Sequence, residues 1–321
     1  MGRVTSLRMS MSLSGLNGLR KPMLLGGALA AGLLLTTAVG CSRRVDVGPR
    51  VDMKKVDELR KTLLVAKVES SGDATAGAAA TGSGWATLKG VFKLVGTAPA
   101  PRKLDVNKDE GVCSKGGHGL LDDSLVVASD GGIANVVIYA KAKRIHESAA
   151  AGARAGKEAD FDQKNCMFIS HVLGVQVGQN LLIKNSDPIG HNTNITPSKG
   201  GSFNQTIAAD GSAAWTVATE ESFPAPVTCN IHPWMRAYLL PRKDLYFAVT
   251  AADGSFEIAN LPAGEEIELQ LWHERGAGPQ NALVVREPAD LKCSDKGRCK
   301  LTLKADETKS FEAKVPLSAL R

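Results

Sequence analysis

Within seven residues, Cys229-Asn230-Ile231-His232-Pro233-Trp234-Met235, the chain offers a thiolate, an imidazole and a thioether, spaced Cys-x2-His-x2-Met. Thiolate and thioether sulfurs favour Cu(I) and imidazole serves both oxidation states, so this donor set suits copper cycling between them. Two histidines and a cysteine in a plane, with a weak axial methionine, define a blue-copper electron-transfer site. A second histidine is available upstream, in Asn185-Ser186-Asp187-Pro188-Ile189-Gly190-His191-Asn192. From composition alone about 0.002 matches to this spacing are expected in 321 residues, so chance does not account for it.

A valine-rich stretch, Val172 to Asn185, runs into His191-Asn192, and the short ligand loop follows at 229–235. These segments resemble the amicyanin and plastocyanin-type cupredoxins, with the short loop in the amicyanin form, in a resemblance that covers about a third of the chain. The resemblance implies one type 1 copper, bound by His191, Cys229 and His232, with Met235 axial. Thr193 and Asn194 depart from it, standing where the family usually has apolar residues.

Each of these residues also has a plainer reading. Cys229 could be a buried or bridged cysteine, and His232 and Met235 loop residues beside Trp234; their joint spacing favours ligation. His191 is one of six histidines and could simply end a strand. In the copper reading Pro233 stiffens the loop, and Trp234 shields one side or offers a docking surface. The Asn192 amide then ties the His191 segment to the Cys229 loop and keeps the ligand geometry fixed.

The elements that must position these residues lie in a chain long enough for two ordinary domains. Its formal charge of +6 is misleading. Residues 1–40 hold Arg3, Arg8, Arg20 and Lys21 and no acid; without these four, 35 basic residues face 33 acidic ones, a balance of +2. That balance, with no basic cluster interleaved with aromatics, argues against nucleic-acid binding. Arg20 and Lys21 precede an apolar run of seventeen residues, Met23 to Val39, with small residues before Cys41, which reads as an export signal. Ala38-Val39-Gly40-Cys41 resembles a bacterial lipobox, although Ala38 stands where a larger aliphatic residue is usual, and lipidation of Cys41 is the expectation. An uncleaved anchor helix, short for a bilayer, and cleavage without lipid are the alternatives. All three readings place the body of the chain outside the cytoplasm, in the periplasm or cell envelope.

With Cys41 assigned to lipid and Cys229 to metal, Cys113, Cys166, Cys293 and Cys299 remain. An even remainder in an oxidising compartment predicts disulfides. Cys293 and Cys299 flank a short polar loop that one bridge can close, and Cys113 with Cys166 is the leftover pair. The matched spacings Cys113-x4-His118 and Cys166-x4-His171 leave a second metal site open as the alternative, with a spacing unusual for zinc. His146 has no evident partner, and His273 reads as exposed at a strand end.

Residues 1–40 read as the signal, and 41–84 as a short helix carrying Val56, Leu59 and Leu63, followed by a Ser/Gly/Ala/Thr tether. From Trp85 onward, β-branched and apolar runs recur at 88–95, 125–128, 133–139, 172–177, 180–184 and 215–217, separated by Gly, Pro, Asn and Asp. They predict an all-β fold: a Greek-key copper-binding sandwich over 85–243 with an insertion near 142–163. If Ile133–Tyr139 is its first strand, that sandwich is complete by about Pro241. Over 244–321, Asp253-Gly254-Ser255-Phe256, Asn260-Leu261-Pro262-Ala263-Gly264 and a strand at 265–272 resemble the carboxypeptidase regulatory-like domain, a second small β-sandwich. In physical terms Asp-Gly turns a hairpin, Phe256 enters a core, and Pro-x-Gly makes the next turn. Should Lys89–Phe92 supply that domain's opening strand, it shares 85–100 and the copper domain is an insertion within it.

The expected function is that of an exported electron carrier with one copper centre, not an enzyme, serving an unidentified redox partner protein. A copper chaperone or store, or a non-catalytic binding module of the cell envelope, is the alternative. A copper oxidoreductase ranks below both: its further copper sites are typically built from His-x-His pairs, and the chain has none. The lipid reading is checked by mass spectrometry of protein extracted from membranes. An acylated Cys41 is expected as the first residue, and any other mature N-terminus would sink the assignment.

Overall fold

Strands dominate the structure, and their two-residue side-chain period decides which layer faces which. It is a computed structural model that describes residues 84–114, 119–289 and 291–321; Cys41, the expected signal, helix and tether before Gly84, and His118 lie outside the described residues. The chain enters through β1 (Trp85–Val95) and β2 (Val137–Lys141). It continues through β3 (Glu158–Lys164), β4 (Met167–Phe168), β5 (Val172–Gln176), β6 (Asn180–Asn185) and β7 (His191–Ile195). Next come β8 (Phe203–Ile207), β9 (Ser212–Thr216), β10 (Ala225–Thr228) and β11 (Arg236–Arg242). It ends in β12 (Phe247–Val249), β13 (Ser255–Pro262), β14 (Glu266–Trp272), β15 (Lys292–Cys293), β16 (Arg298–Thr302) and β17 (Thr308–Pro316).

Strands β3 to β11 form one sandwich, in which a sheet ordered β5-β11-β10-β7-β8 packs on one ordered β4-β3-β6-β9. Its core is drawn from inward positions of both sheets, among them Phe161, Leu181, Ile183, Ile195, Phe203, Val227 and Leu239. Strand β3 departs from expectation, because 158–164 falls largely within the stretch read as a surface insertion. Its sequence, Glu-Ala-Asp-Phe-Asp-Gln-Lys, looks too polar for a strand, yet only every second side chain turns inward. Phe161 and Gln163 are fully buried while Glu158, Asp160 and Lys164 face outward.

The remaining strands form the second sandwich, a sheet ordered β12-β2-β14-β16-β15 against one ordered β13-β1-β17. Strand β1 pairs antiparallel with β13 and parallel with β17, and β2 pairs antiparallel with β14 and β12. Ile133–Tyr139 therefore does not open the first sandwich, and a boundary at 243/244 does not separate the sheets. Strands β3 to β11 enter and leave between β2 and β12. Periodicity identifies a strand but not its partner, so the pattern of this run fits either sheet. The Asp253-Gly254 turn is present: Gly254 sits at φ 80°, and Asp253 Oδ1 accepts from Ser255 N at 2.9 Å.

Two strands are buried on both faces and weld the sandwiches together. On β2, Ile138 and Ala140 point into the second core, while Val137 and Tyr139 point to a junction with Val172, Leu240 and Trp272. On β11, Ala237 and Leu239 serve the first core and Leu240 the junction. Burying aliphatic side chains such as Val137 and Leu240 contributes about 2 kcal/mol each. Gly174 on β5 lets Phe247 of β12 lie directly on its backbone, since a Cβ there would stand 2.4 Å from the ring.

A buried charge cluster completes the junction. His171 precedes β5, and its Nδ1 lies 3.0 Å from Asp123 Oδ2 while its Nε2 meets Glu274 Oε1, beyond β14. Burial opposes its charge, but the two carboxylates outweigh that and raise its pKa to about 10. Next to it, His273, read from sequence as exposed, is only 1% exposed. Burial, and then the charge of His171, lowers its pKa to about 4. The two shifts act on opposite sides of the ordinary histidine value of 6.5. Above it the unfolded chain releases the His171 proton that the folded chain keeps, so stability falls as pH rises toward about 10. Below it unfolded His273 gains a proton that the folded residue refuses until about pH 4, so stability also falls on acidification. Urea denaturation across this range should give a maximum near pH 6.5, the ordinary histidine value, and His171→Gln should flatten the alkaline limb. An unchanged alkaline slope in that variant would refute the assignment.

Candidate metal centre

The seven residues 229–235 close the hairpin between β10 and β11, which pair antiparallel from Thr228 opposite Arg236. The loop is tied across its base, with Cys229 N donating to Met235 O at 3.3 Å and Met235 N to His232 O at 2.9 Å. Strand β10 also pairs with β7, so His191, the first residue of β7, arrives beside the same loop. The ligand atoms of His191, Cys229 and His232 all lie within 4.8 Å of one another. His191 Nδ1 and His232 Nδ1 are 2.9 Å apart, and Cys229 Sγ is 3.7 Å from His232 Nδ1. All three residues are buried, and Met235 is fully buried at the end of the loop.

The sulfur and the two rings are each oriented. Asn192 N and His232 N point at Cys229 Sγ from 3.2 and 3.4 Å, an environment suited to a sulfur carrying negative charge. Asn192 joins the two ligand-bearing segments: its Oδ1 accepts from Asn230 N at 3.2 Å, and its Nδ2 donates to Asn204 Oδ1 at 3.0 Å. Each imidazole presents its outer nitrogen to a carboxylate, His191 Nε2 to Asp187 Oδ2 at 2.7 Å and His232 Nε2 to Asp109 Oδ2 at 2.8 Å. A carboxylate on Nε2 holds the proton there and leaves Nδ1 as the ligand atom. Burial lowers the His191 pKa, against the pull of Asp187, so the neutral, ligating form is favoured.

Asp187 and Asp109 are the functional residues that sequence reasoning missed. Asp187 had a readable signal, lying four residues before His191 in a turn that builds itself. Asn185 Nδ2 donates to three carbonyls, those of Ile189, Ile207 and Ala208, and Asn185 Oδ1 accepts from Asp187 N at 3.0 Å. Asp187 also accepts from Asn165 N and Cys166 N at 2.7 and 2.8 Å. Asp109 had none, since it lies 123 residues from His232. It stands at φ 49° just before the one-turn helix α1 (Glu110–Cys113), and a disulfide from Cys113 to Cys166 anchors that helix to the first sandwich.

The four remaining cysteines form the bridges Cys113–Cys166 and Cys293–Cys299, and Cys229 is the free cysteine among the described residues. A second metal site using Cys113, Cys166 and His171 does not exist: both sulfurs are spent in the bridge, and His171 turns to Asp123 and Glu274. Cys166 also lies near Asp187 and His191, but as a disulfide sulfur it is no ligand. The donor set that converges, two imidazole nitrogens and one thiolate, with Met235 buried in the same loop, fits copper better than zinc or a hard cation.

No family model and no curated protein sequence matches the chain. Among solved structures, a copper-containing nitrite reductase from Thermus scotoductus aligns at 17% identity and TM-score 0.25 over 27% of this chain, which spans only 23% of that one. Amicyanin from Paracoccus versutus aligns at 15% identity and TM-score 0.24, over 33% of this chain and 97% of its own length. A mutant amicyanin in its reduced Cu(I) form aligns at 19% identity and TM-score 0.25, over 32% of this chain and 99% of its own. At such scores these likenesses assign the whole chain to no family.

The tethered α1 segment gives a test that needs no metal. The Cys113–Cys166 bridge spans 53 residues and Cys293–Cys299 six. In the chain-entropy account, replacing the first pair by serine destabilises by about 4 kcal/mol and the second by about 2 kcal/mol. Only the first replacement should expose His232 to modification by diethylpyrocarbonate, read by peptide mapping. A His232 that stays unreactive there would show that the bridge does not hold Asp109 in place.

Proposed function

We propose that this chain is an exported electron carrier with a single type 1 copper centre, and that it is not an enzyme. The observation carrying the proposal is the convergence of His191 Nδ1, His232 Nδ1 and Cys229 Sγ at a buried point in the loop that buried Met235 closes. Copper held there would supply a one-electron couple, with the thiolate as its strongest covalent contact. The protein's own part is to hold that geometry unchanged. Both imidazoles are pinned at their outer nitrogens, the thiolate receives two backbone N–H groups, and the ligand loop closes on itself. Ligands that do not move on reduction keep the reorganisation energy of electron exchange small, which suits a carrier. A chaperone has to release its metal, and donors locked in a sandwich core suit that task poorly.

The location is proposed on separate grounds. The expected signal and the expected lipidation of Cys41 support a location at a membrane of the cell envelope, an oxidising setting in which the Cys113–Cys166 and Cys293–Cys299 bridges would persist. A redox partner protein is implied, because a carrier needs a donor and an acceptor.

The copper-loaded protein should be blue or green when oxidised, should bleach on one-electron reduction, and should lose its visible band entirely in Cys229→Ala. His191→Ala should open a coordination position and distort the spectrum. Met235→Leu should keep the colour and raise the potential by on the order of 60 mV, a tenfold change in a one-electron equilibrium. Asp109→Asn should also raise it, since removing a carboxylate from His232 makes the imidazole a poorer donor to Cu(II). A colourless copper-loaded protein, or a band surviving in Cys229→Ala, would dismiss the blue-copper reading.

A further inference from the structure

Beside the ligand loop, where the two sandwiches meet, lies a cavity of about 680 Å³. That volume lies within the roughly 300–1,000 Å³ usual for small-molecule sites, which favour such junctions. Trp234 and Tyr238 form part of its wall, and Arg102, Arg236 and Arg275 also line it. Its charges can be accounted for one by one. Asp122 is paired with Arg102 at 3.1 Å, and Asp123 and Glu274 are both paired with His171. Asp123 and Glu274 thus share a single imidazolium. Arg275 donates to an oxygen of Arg321 and, at 3.3 Å, to Ser124 Oγ. Arg236 is the lining cation that forms no ion pair among the described residues.

The aromatic part of the wall is held in place before anything binds. Trp234 Nε1 donates to Cys166 O at 3.1 Å, which fixes the indole against the first sandwich. Tyr238 packs edge-on to Trp272 at 4.9 Å between ring centroids. Flat rings and an uncompensated guanidinium fork recognise a flat anion, by stacking and by paired hydrogen bonds. Trp234 also stands 5.1 Å from the His232 ring, whose outer nitrogen is closed off by Asp109. The cavity therefore brings an occupant to within one side chain of the His191–Cys229–His232 cluster.

The geometry points to a binding site for a planar aromatic anion (a carboxylate, sulfonate or phenolate), with its charge on Arg236 and its ring against Trp234 and Tyr238. Nothing in this site depends on copper, so it can fail or succeed apart from the electron-carrier reading. The test is calorimetric titration of naphthalene-2-sulfonate into the full chain as purified, with inorganic sulfate and cyclohexanesulfonate titrated in parallel. Saturable binding with a dissociation constant below about 1 mM is expected, weakened about tenfold in Arg236→Gln and unchanged in the remote Arg286→Gln. Sulfate and cyclohexanesulfonate should each bind at least about tenfold more weakly, because neither offers a flat ring. No saturable binding, equal binding by Arg236→Gln, or equal binding of either control anion would overturn the proposal.

Discussion

A buried imidazole has two nitrogens, and each needs a partner. This constraint organises the structure around His191 and His232, both fully buried. Their Nδ1 atoms turn toward each other and toward Cys229, so their Nε2 atoms must find acceptors elsewhere. Asp187 is supplied by a turn that Asn185 holds together, and its carboxylate is fixed by the backbone of Asn165 and Cys166. Asp109 is supplied by a segment from outside the first sandwich, which the Cys113–Cys166 bridge fastens down. The disulfide, the turn and the α1 segment are thus three answers to one requirement. An unmet nitrogen in this core would carry a desolvation penalty of about 1–3 kcal/mol.

The same economy of faces governs the layers. Because β2 and β11 are packed on both faces, they read as near-continuous apolar runs, Val137-Ile138-Tyr139-Ala140 and Ala237-Tyr238-Leu239-Leu240. The ligand loop grows directly out of β11. A strand packed on both sides has little freedom to shift register, since a slip of one residue would exchange its two faces. The position of Cys229 and His232 is thereby inherited from the packing of the whole molecule.

How much of this was legible depended on distance along the chain. The Cys229–Met235 donors could be read because a hairpin loop presents neighbours in sequence as neighbours in space. His191 could be read because a long apolar run announced the strand before it. The all-β class followed from β-branched and apolar runs that recur between Gly, Pro, Asn and Asp. Strand β3 was hidden because Asp160 and Asp162 flank Phe161 and disguise a buried residue in polar company. The assignment of Ile133–Tyr139 failed for a different reason: a doubly buried strand fits either neighbouring sheet by pattern alone. Asp109 was out of reach in principle, since nothing local to an aspartate before a one-turn helix identifies a histidine 123 residues away.

The pairing of β1 with β17 sets an order of assembly. During synthesis β1 is made first, yet its parallel partner, from Thr308, emerges only after every other strand. Closing that pair demands one of the longest loops the chain can make, and such pairings form slowly. Strands β3 to β11 are complete long before, so the inserted sandwich can condense while the outer one still lacks an edge. Until then β1 leaves the edge that β17 will take open along Val91-Phe92-Lys93-Leu94-Val95, a largely apolar stretch of the kind that invites association between chains. Lys93 interrupts that run and Lys89 precedes it, and the two act as its gatekeepers while it waits.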